Sequence, residues 1–279
     1  MTSRAIELLP PASFQGGKQR NAPKIVECFP ESIDTFYDLC CGSGAVSLYL
    51  VDRKFVEPQN LVMADVGVWG LFWKQIGEGS FDLDLFDDFV DDAPDDPALI
   101  QDYLVELSEL PADQDTAEIY ILLQAGAFGS KQIYIQNNKW KNTFFRRYWE
   151  PTSTSNRQSP VNPMMPMPEE VRRRVHAIAE SMCGVTGFYD NIYNVPIAPS
   201  GNTVAYIDPP YEGLTGYADK FDVADYARSV ADQGIDCFVS EAVALIDHAY
   251  TISGKREKGG ISGYRSSPNE EWLSYFPKV

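Results

Sequence analysis

Residues 35–50 read Thr-Phe-Tyr-Asp-Leu-Cys-Cys-Gly-Ser-Gly-Ala-Val-Ser-Leu-Tyr-Leu, and they constrain the fold more than any other stretch. An apolar strand ends near Leu39. A turn of small residues, Cys40 to Gly44, follows, and then an apolar periodic segment that reads as a helix. In a strand, Gly-rich turn and helix unit, the glycines let the backbone approach a nucleotide-type ligand at the helix N-terminus. The full dinucleotide spacing is absent and there is no Walker lysine, which disfavours NAD and ATP. A second strand, Leu61 to Ala64, ends in Asp65. An acidic residue there is placed to hold ribose hydroxyls, and its plainer role is to cap a helix. The expected fold class is α/β, a doubly wound sheet.

Further along, residues 204–211 read Val-Ala-Tyr-Ile-Asp-Pro-Pro-Tyr. A short apolar strand ends at Ile207 and delivers Asp208, Pro209, Pro210 and Tyr211 into a turn. The prolines lack an N–H and have a locked φ, so this turn cannot relax into helix or ladder. It therefore presents a carboxylate, backbone carbonyls and an aromatic ring at the C-terminal edge of a strand, where open α/β sheets bind ligands. A planar base bearing an amino group suits this cluster. The carboxylate and a carbonyl each accept one amine proton, and the ring stacks on the base.

Three blocks in this order resemble the D12-class DNA adenine-N6 methyltransferases, the Dam-like family. Phe14-Gln15-Gly16-Gly17-Lys18 is similar to the family's N-terminal block. Asp38-Leu39-Cys40-Cys41-Gly42-Ser43-Gly44 is similar to its cofactor loop, and Asp208-Pro209-Pro210-Tyr211 to its catalytic tetrad. The resemblance covers roughly residues 10–75 and 200–275 and implies a Rossmann-like methyltransferase sheet that uses S-adenosylmethionine. It implies methyl transfer to adenine N6 in DNA by base flipping, with Asp208, Pro209, Pro210 and Tyr211 catalytic. The same resemblance implies that Phe14, Gly16, Gly17, Lys18, Asp38, Cys40, Gly42, Ser43, Gly44 and Asp65 hold the cofactor. Related enzymes act on adenine in RNA, and a non-catalytic binding module on the same fold is a further alternative.

At 279 residues the chain can bury a sizeable core. It has no apolar run long enough to span a membrane and no signal-peptide pattern. Its five cysteines include no CxxC pair and its two histidines join no cluster, so no metal is expected. A reducing cytoplasmic compartment is the simplest location. The net charge of −17 runs against DNA binding, but 14 acids and no Lys or Arg fall in residues 81–118. The next block, residues 119–187, carries 9 Lys and Arg against 4 acids. The whole-chain charge is thus a poor guide to any one surface.

This partition suggests a catalytic domain from 1–80 and 195–279, and an inserted acidic segment and target-recognition subdomain over 81–194. The acidic block reads as a loop followed by a helix near Ala98–Leu110. It is either a solvated face or a docking surface for a protein partner. Thr116 to Gly126 reads as an apolar helix. Gln132 to Gln136 alternates like a strand, and Asn137-Asn138 suits a hairpin turn. Around the hairpin, Lys131, Lys139, Lys141, Arg146, Arg147 and Arg157 interleave with aromatic and amide side chains, the composition of a nucleic-acid surface. The plainer reading is a half-buried hairpin packed by Trp140, Phe144, Phe145 and Trp149. Glu169 to Met182 reads as a helix whose Arg172, Arg173 and Arg174 meet either phosphate or solvent.

Overall fold

The computed structural model describes residues 8–96, 98–112, 116–147, 165–209, 222–253 and 270–279. Seven strands form one sheet: β1 (Thr35–Leu39), β2 (Leu61–Asp65), β5 (Thr186–Tyr189), β6 (Thr203–Ile207), β7 (Asp236–Glu241), β8 (Ala249–Ser253) and β9 (Glu271–Phe276). Their order is β5-β2-β1-β6-β7-β9-β8. The first five run parallel, and β9 returns antiparallel to both β7 and β8. This mixed α/β, mostly parallel sheet is the class that the strand, turn and helix unit implies.

Alternate residues of each central strand enter different apolar clusters. Phe36, Val204, Tyr206 and Phe238 face one way, and Tyr37, Leu39, Ala205, Ile207 and Val239 face the other. Burial on both faces is what makes these strands read as unbroken apolar runs. The second face is covered by α8 (Val223–Ala231), which packs on β7. The first is covered by α1 (Ala22–Val26), α2 (Ala45–Asp52), α3 (Val68–Glu78) and a further helical layer.

That layer comprises α4 (Leu83–Asp91), α5 (Ile100–Glu109), α6 (Thr116–Gly126) and α7 (Pro168–Ser181). Every residue of α6 is buried, and α3, α4, α5 and α7 pack around it. Its side chains join the same apolar cluster as the sheet, so α4, α5, α6 and α7 share a core with the strands. The short antiparallel ribbon of β3 (Tyr134–Gln136) and β4 (Lys139–Lys141) turns at Asn137 and Asn138. Both asparagines have positive φ, 53° and 59°, as a type I′ hairpin requires.

The structure differs from the sequence reading in two elements. The start of the acidic block is a helix, α4, not a loop. Asp82 caps it by accepting the Leu85 N–H at 2.9 Å, and Phe86 and Val90, one turn apart, are its buried stripe. The segment 81–194 also contains β5, which pairs with β2 in the main sheet. This strand is only four residues long and includes Gly187, where a Cβ would lie 2.2 Å from the Lys74 backbone nitrogen. Close approach of α3 selects that glycine, and it hides the strand pattern. Among the described residues no helix is long and apolar enough to cross a membrane.

Candidate active site

Parallel register brings the chemistry-bearing residues to one edge of the sheet. Leu39 is level with Ala64 and Ile207, and Ile207 with Val239. The residues just beyond, Cys40, Asp65, Asp208 and Ser240-Glu241, therefore leave the C-terminal ends of four adjacent strands. Cross-strand bonds fix the exits. The Asp208 N–H donates to the Leu39 carbonyl at 3.2 Å, and the Cys41 N–H to that of Ala64 at 2.9 Å.

The turn after β1 is held in an unusual shape. Cys40, Gly42 and Gly44 all have positive φ, 63°, 48° and 71°, a conformation that costs a non-glycine residue stability and marks functional turns. The Gly42 carbonyl accepts the Trp73 indole N–H at 2.9 Å. A Cβ on Gly44 would lie 2.4 Å from Trp73 Cζ2, and one on Gly42 3.1 Å from the Phe14 ring. Both glycines thus answer to chain geometry and to neighbouring rings. The cofactor-loop residues Asp38 and Ser43 are buried. Asp38 accepts the Ser47 hydroxyl at 2.6 Å, which ties β1 to α2.

Asp65 accepts two backbone N–H groups, Gly42 on Oδ2 at 2.9 Å and Gly67 on Oδ1 at 2.7 Å. It joins the turn after β1 to the start of α3. The carboxylate retains acceptor capacity for a hydroxyl, since each oxygen carries two lone pairs. Phe14 lies edge-on to Trp69, their ring centres 5.9 Å apart, and its carbonyl accepts the Gly17 N–H at 3.0 Å. The Phe14–Lys18 block is thereby folded onto the Gly42 turn.

Lys18 is 5% exposed and places its ammonium 2.6 Å from Asp208 Oδ1. It lies 3.5 Å from Glu271 Oε1 and donates to the Gly16 carbonyl at 2.7 Å. Burial pushes the Asp208 carboxyl up to about 6 against the pull of Lys18, and Glu271 and Glu241 add to the rise. Burial also lifts Asp38, to about 7, with Asp208 and Asp65 adding to it. The Cys40 thiol is pushed well up by burial and then by Asp65, Asp208 and Asp38, which leaves it a poor nucleophile. The site is rich in acceptors and buried charge, suited to hold an amino group and to attract a cation. Pro209 is buried beside Asp208; Pro210 and Tyr211 lie outside the described residues.

Sequence reasoning puts Glu241 at the end of a strand but gives it no role, and it misses Glu271; both end up near Asp208. Glu271 opens β9, a short run rich in aromatic residues, and that aromatic content is the signal that marks the strand. The basic hairpin is only partly a surface. Lys131 and Lys139 are exposed, Lys141 is half-buried, and the exposed Arg147 donates to Gln101 Oε1 at 2.9 Å. Arg146 departs from the surface expectation: it is 6% exposed, and its Nη2 makes long bonds of 3.4 Å to the Ala125 carbonyl and Ser130 Oγ. Burial lowers its guanidinium to about 10. Its neighbour Phe145 is buried, as is Trp140, which stacks on Tyr120, whereas Phe144 is 76% exposed. Arg157 and Trp149 lie outside the described residues.

Nor do the arginines of α7 simply meet solvent. Arg172 pairs with Asp91 and Asp87 of the acidic helix, Arg173 and Arg174 with Glu170, and His176 with Asp87 at 2.9 Å.

Residues 14–69 match the family model of the D12 class N6 adenine-specific DNA methyltransferases. The matched stretch runs from Phe14 to Trp69 and includes the Gly16–Lys18 block, the Cys40–Gly44 turn and Asp65. The match supports an adenine-specific DNA methyltransferase, as the three blocks imply. No curated protein matches the chain.

Proposed function

We propose that this protein transfers a methyl group from S-adenosylmethionine to the N6 amino group of adenine in DNA, with the base turned out of the duplex into the pocket at Asp208. N6 of a stacked base is out of reach of a cofactor bound at the sheet edge, which is why flipping is part of the reading. The single observation that carries it is the placement of Asp208 at the end of the strand adjacent to the one that leads into the Gly42 turn, with its backbone N–H bonded to Leu39, the last residue before that turn.

Bound against the turn, S-adenosylmethionine supplies an electrophilic methyl group on a sulfonium cation. Asp65, with acceptor capacity beyond its two backbone bonds, is suited to the ribose hydroxyls. Phe14, Gly16, Gly17, Asp38, Cys40, Gly42, Ser43 and Gly44 shape the surrounding cradle. The carboxylates of Asp38, Asp65 and Asp208 favour positive charge in the pocket. Asp208 accepts one N6 proton in a hydrogen bond and a backbone carbonyl of the Asp208–Pro209 turn accepts the other. Such acceptors would favour the pyramidal amine that develops as the nitrogen lone pair forms the new N–C bond while the methyl–sulfur bond breaks, leaving a neutral thioether and one N6 proton to pass to water. They also hold the nitrogen in line for attack. Tyr211 is assigned to stacking on the base. Lys131, Lys139, Lys141, Arg147 and Arg157 are assigned to DNA phosphates. Such an enzyme works inside the cell.

The test is transfer of labelled methyl from S-adenosylmethionine to duplex DNA, followed by digestion to nucleosides. N6-methyladenine is the expected product. Label on cytosine, or none on DNA, overturns the reading.

A further inference from the structure

We propose that Lys18 and Glu271 form a clamp that aims the Asp208 carboxylate, and that both are positioning residues for the methyl-transfer centre. This deepens the function proposed above and rests on it. The sequence resemblance assigns Lys18 to the cofactor, but its ammonium lies 2.6 Å from Asp208 Oδ1. The amine is itself held from two sides, by the Gly16 carbonyl at 2.7 Å and by Glu271 at 3.5 Å. The Lys18 carbonyl accepts the Asn21 and Ala22 N–H groups at 2.8 and 2.7 Å, which fixes the base of its side chain. Asn21 Nδ2 donates to the second oxygen of Glu271. One turn of the N-terminal block and the first residue of β9 thus converge on a single lysine.

The consequence for Asp208 is directional. Lys18 occupies Oδ1, and among the described residues Oδ2 has no hydrogen-bond partner, so Oδ2 is the oxygen presented to an amine. A charge-assisted bond of this length restricts rotation of the carboxylate. Lys18 also sets its ionisation. The groups facing Asp208 are Lys18, Glu271 on β9, Glu241 on β7, Asp38 on β1 and the Cys40 thiol in the turn after β1. Of these only Lys18 is cationic. Remove it, and a buried carboxylate among carboxylates holds its proton and loses its value as an acceptor. Glu271 works in two ways: it holds Lys18, and its negative charge opposes that of Asp208.

The test is the pH titration of Asp208 in the full chain by carboxyl carbon-13 NMR, with the signal assigned by its loss in Asp208→Asn. The midpoint in the unsubstituted protein is expected near 6. Lys18→Met should raise it by at least about one unit, the low end for removal of an adjacent opposite charge. Lys18→Gln serves if Lys18→Met does not fold. Lys18→Arg should stay near the starting value, and Glu271→Gln should lower it. In methyl transfer, the acid limb of kcat/KM should follow the same shifts. Lys18→Met should then lose about fivefold in kcat/KM at pH 6 through ionisation alone, as a one-unit shift requires. An unmoved midpoint in Lys18→Met overturns the clamp and leaves Lys18 to the cofactor. A midpoint that stays or rises in Glu271→Gln removes Glu271 from it. An unsubstituted protein that leaves adenine unmethylated overturns the proposed function, while the NMR midpoints still decide the clamp.

Discussion

At the residue scale, the proposed centre is a set of buried carboxylates, and their protonation gives predictions for both chemistry and stability. Asp208→Ala should slow methyl transfer at least about a hundredfold, the order for losing a preorganised electrostatic partner. Cofactor affinity by calorimetry should be retained. Asp208→Asn keeps one acceptor oxygen and should retain part of the rate. Because the Asp208 pKa is raised to about 6, transfer should fall as pH drops through 6. Asp38 gives a prediction about stability. Its pKa is raised from an ordinary 3.8 to about 7 in the fold. The folded state therefore binds the proton more tightly, and stability present below about pH 4 is lost as pH rises through about 7. Asp38→Asn, which cannot ionise, should raise the melting temperature relative to the unsubstituted protein by more at pH 8 than at pH 5, where only part of the loss has accrued. An equal change at both values would mean that Asp38 carries no buried charge. The places of Asp208 and Asp38 at the sheet edge were legible in the sequence because each ends or lies in an apolar strand beside a turn. Lys18 was legible as a site residue but not as a partner of Asp208, since the pairing spans 190 positions and depends on sheet closure.

At the scale of elements, glycines decide which segments approach. A Cβ on Gly44 would sit 2.4 Å from Trp73 and 2.7 Å from Met63, at a φ of +71°. Gly44→Ala should therefore cost about 2–4 kcal/mol, from overpacking and left-handed backbone together. Gly16 also has positive φ, but nothing lies within 4 Å of its Cβ position. Gly16→Ala should cost only about 1–2 kcal/mol, the backbone share alone. Thermal melts of the two variants check the contrast, and equal losses would show that the Trp73 contact is unimportant. The elements read correctly from sequence, β1, β2, β6, α5, α6, α7 and the Asn-Asn hairpin, each carry a strong local period or turn pair. Those read poorly carry mixed signals. In α4 the aspartates mask a two-residue apolar stripe, and in β5 a glycine demanded by α3 interrupts the run. The turns after β1 and β6 were visible because glycine and proline report backbone shape directly, whereas Glu271 comes from a late antiparallel strand.

At the scale of the whole molecule, the charge paradox is partly internal. The acidic helix α4 is met by Arg172 and His176 of α7, so part of the −17 is matched within the fold. Asp87→Asn with Asp91→Asn should lower the melting temperature, whereas Asp84→Asn with Asp88→Asn, both exposed, should leave it unchanged. The pattern reversed would mean that α7 is held by its apolar face alone. Around the hairpin, Lys139→Glu with Lys141→Glu should weaken DNA binding and flatten its salt dependence by about two units of slope, nearly one for each phosphate no longer neutralised. Cofactor affinity should not change. Arg146→Glu belongs to a different class. Its side chain is buried, so the substitution should destabilise the fold instead of acting on DNA selectively, and a native melting profile would contradict this.

The strand order has a consequence for how the chain is made. β1 lies between β2, which follows within a few dozen residues, and β6, whose pairing residues come roughly 170 positions later. At ribosomal rates of about 5–20 residues per second, one flank of β1 waits on the order of ten seconds for its neighbour. During that wait an apolar strand edge is open to any other extended chain, the condition that promotes misassembly. Translation products that stop before residue 203 should accordingly be captured by chaperones or aggregate, however well their first four elements are formed.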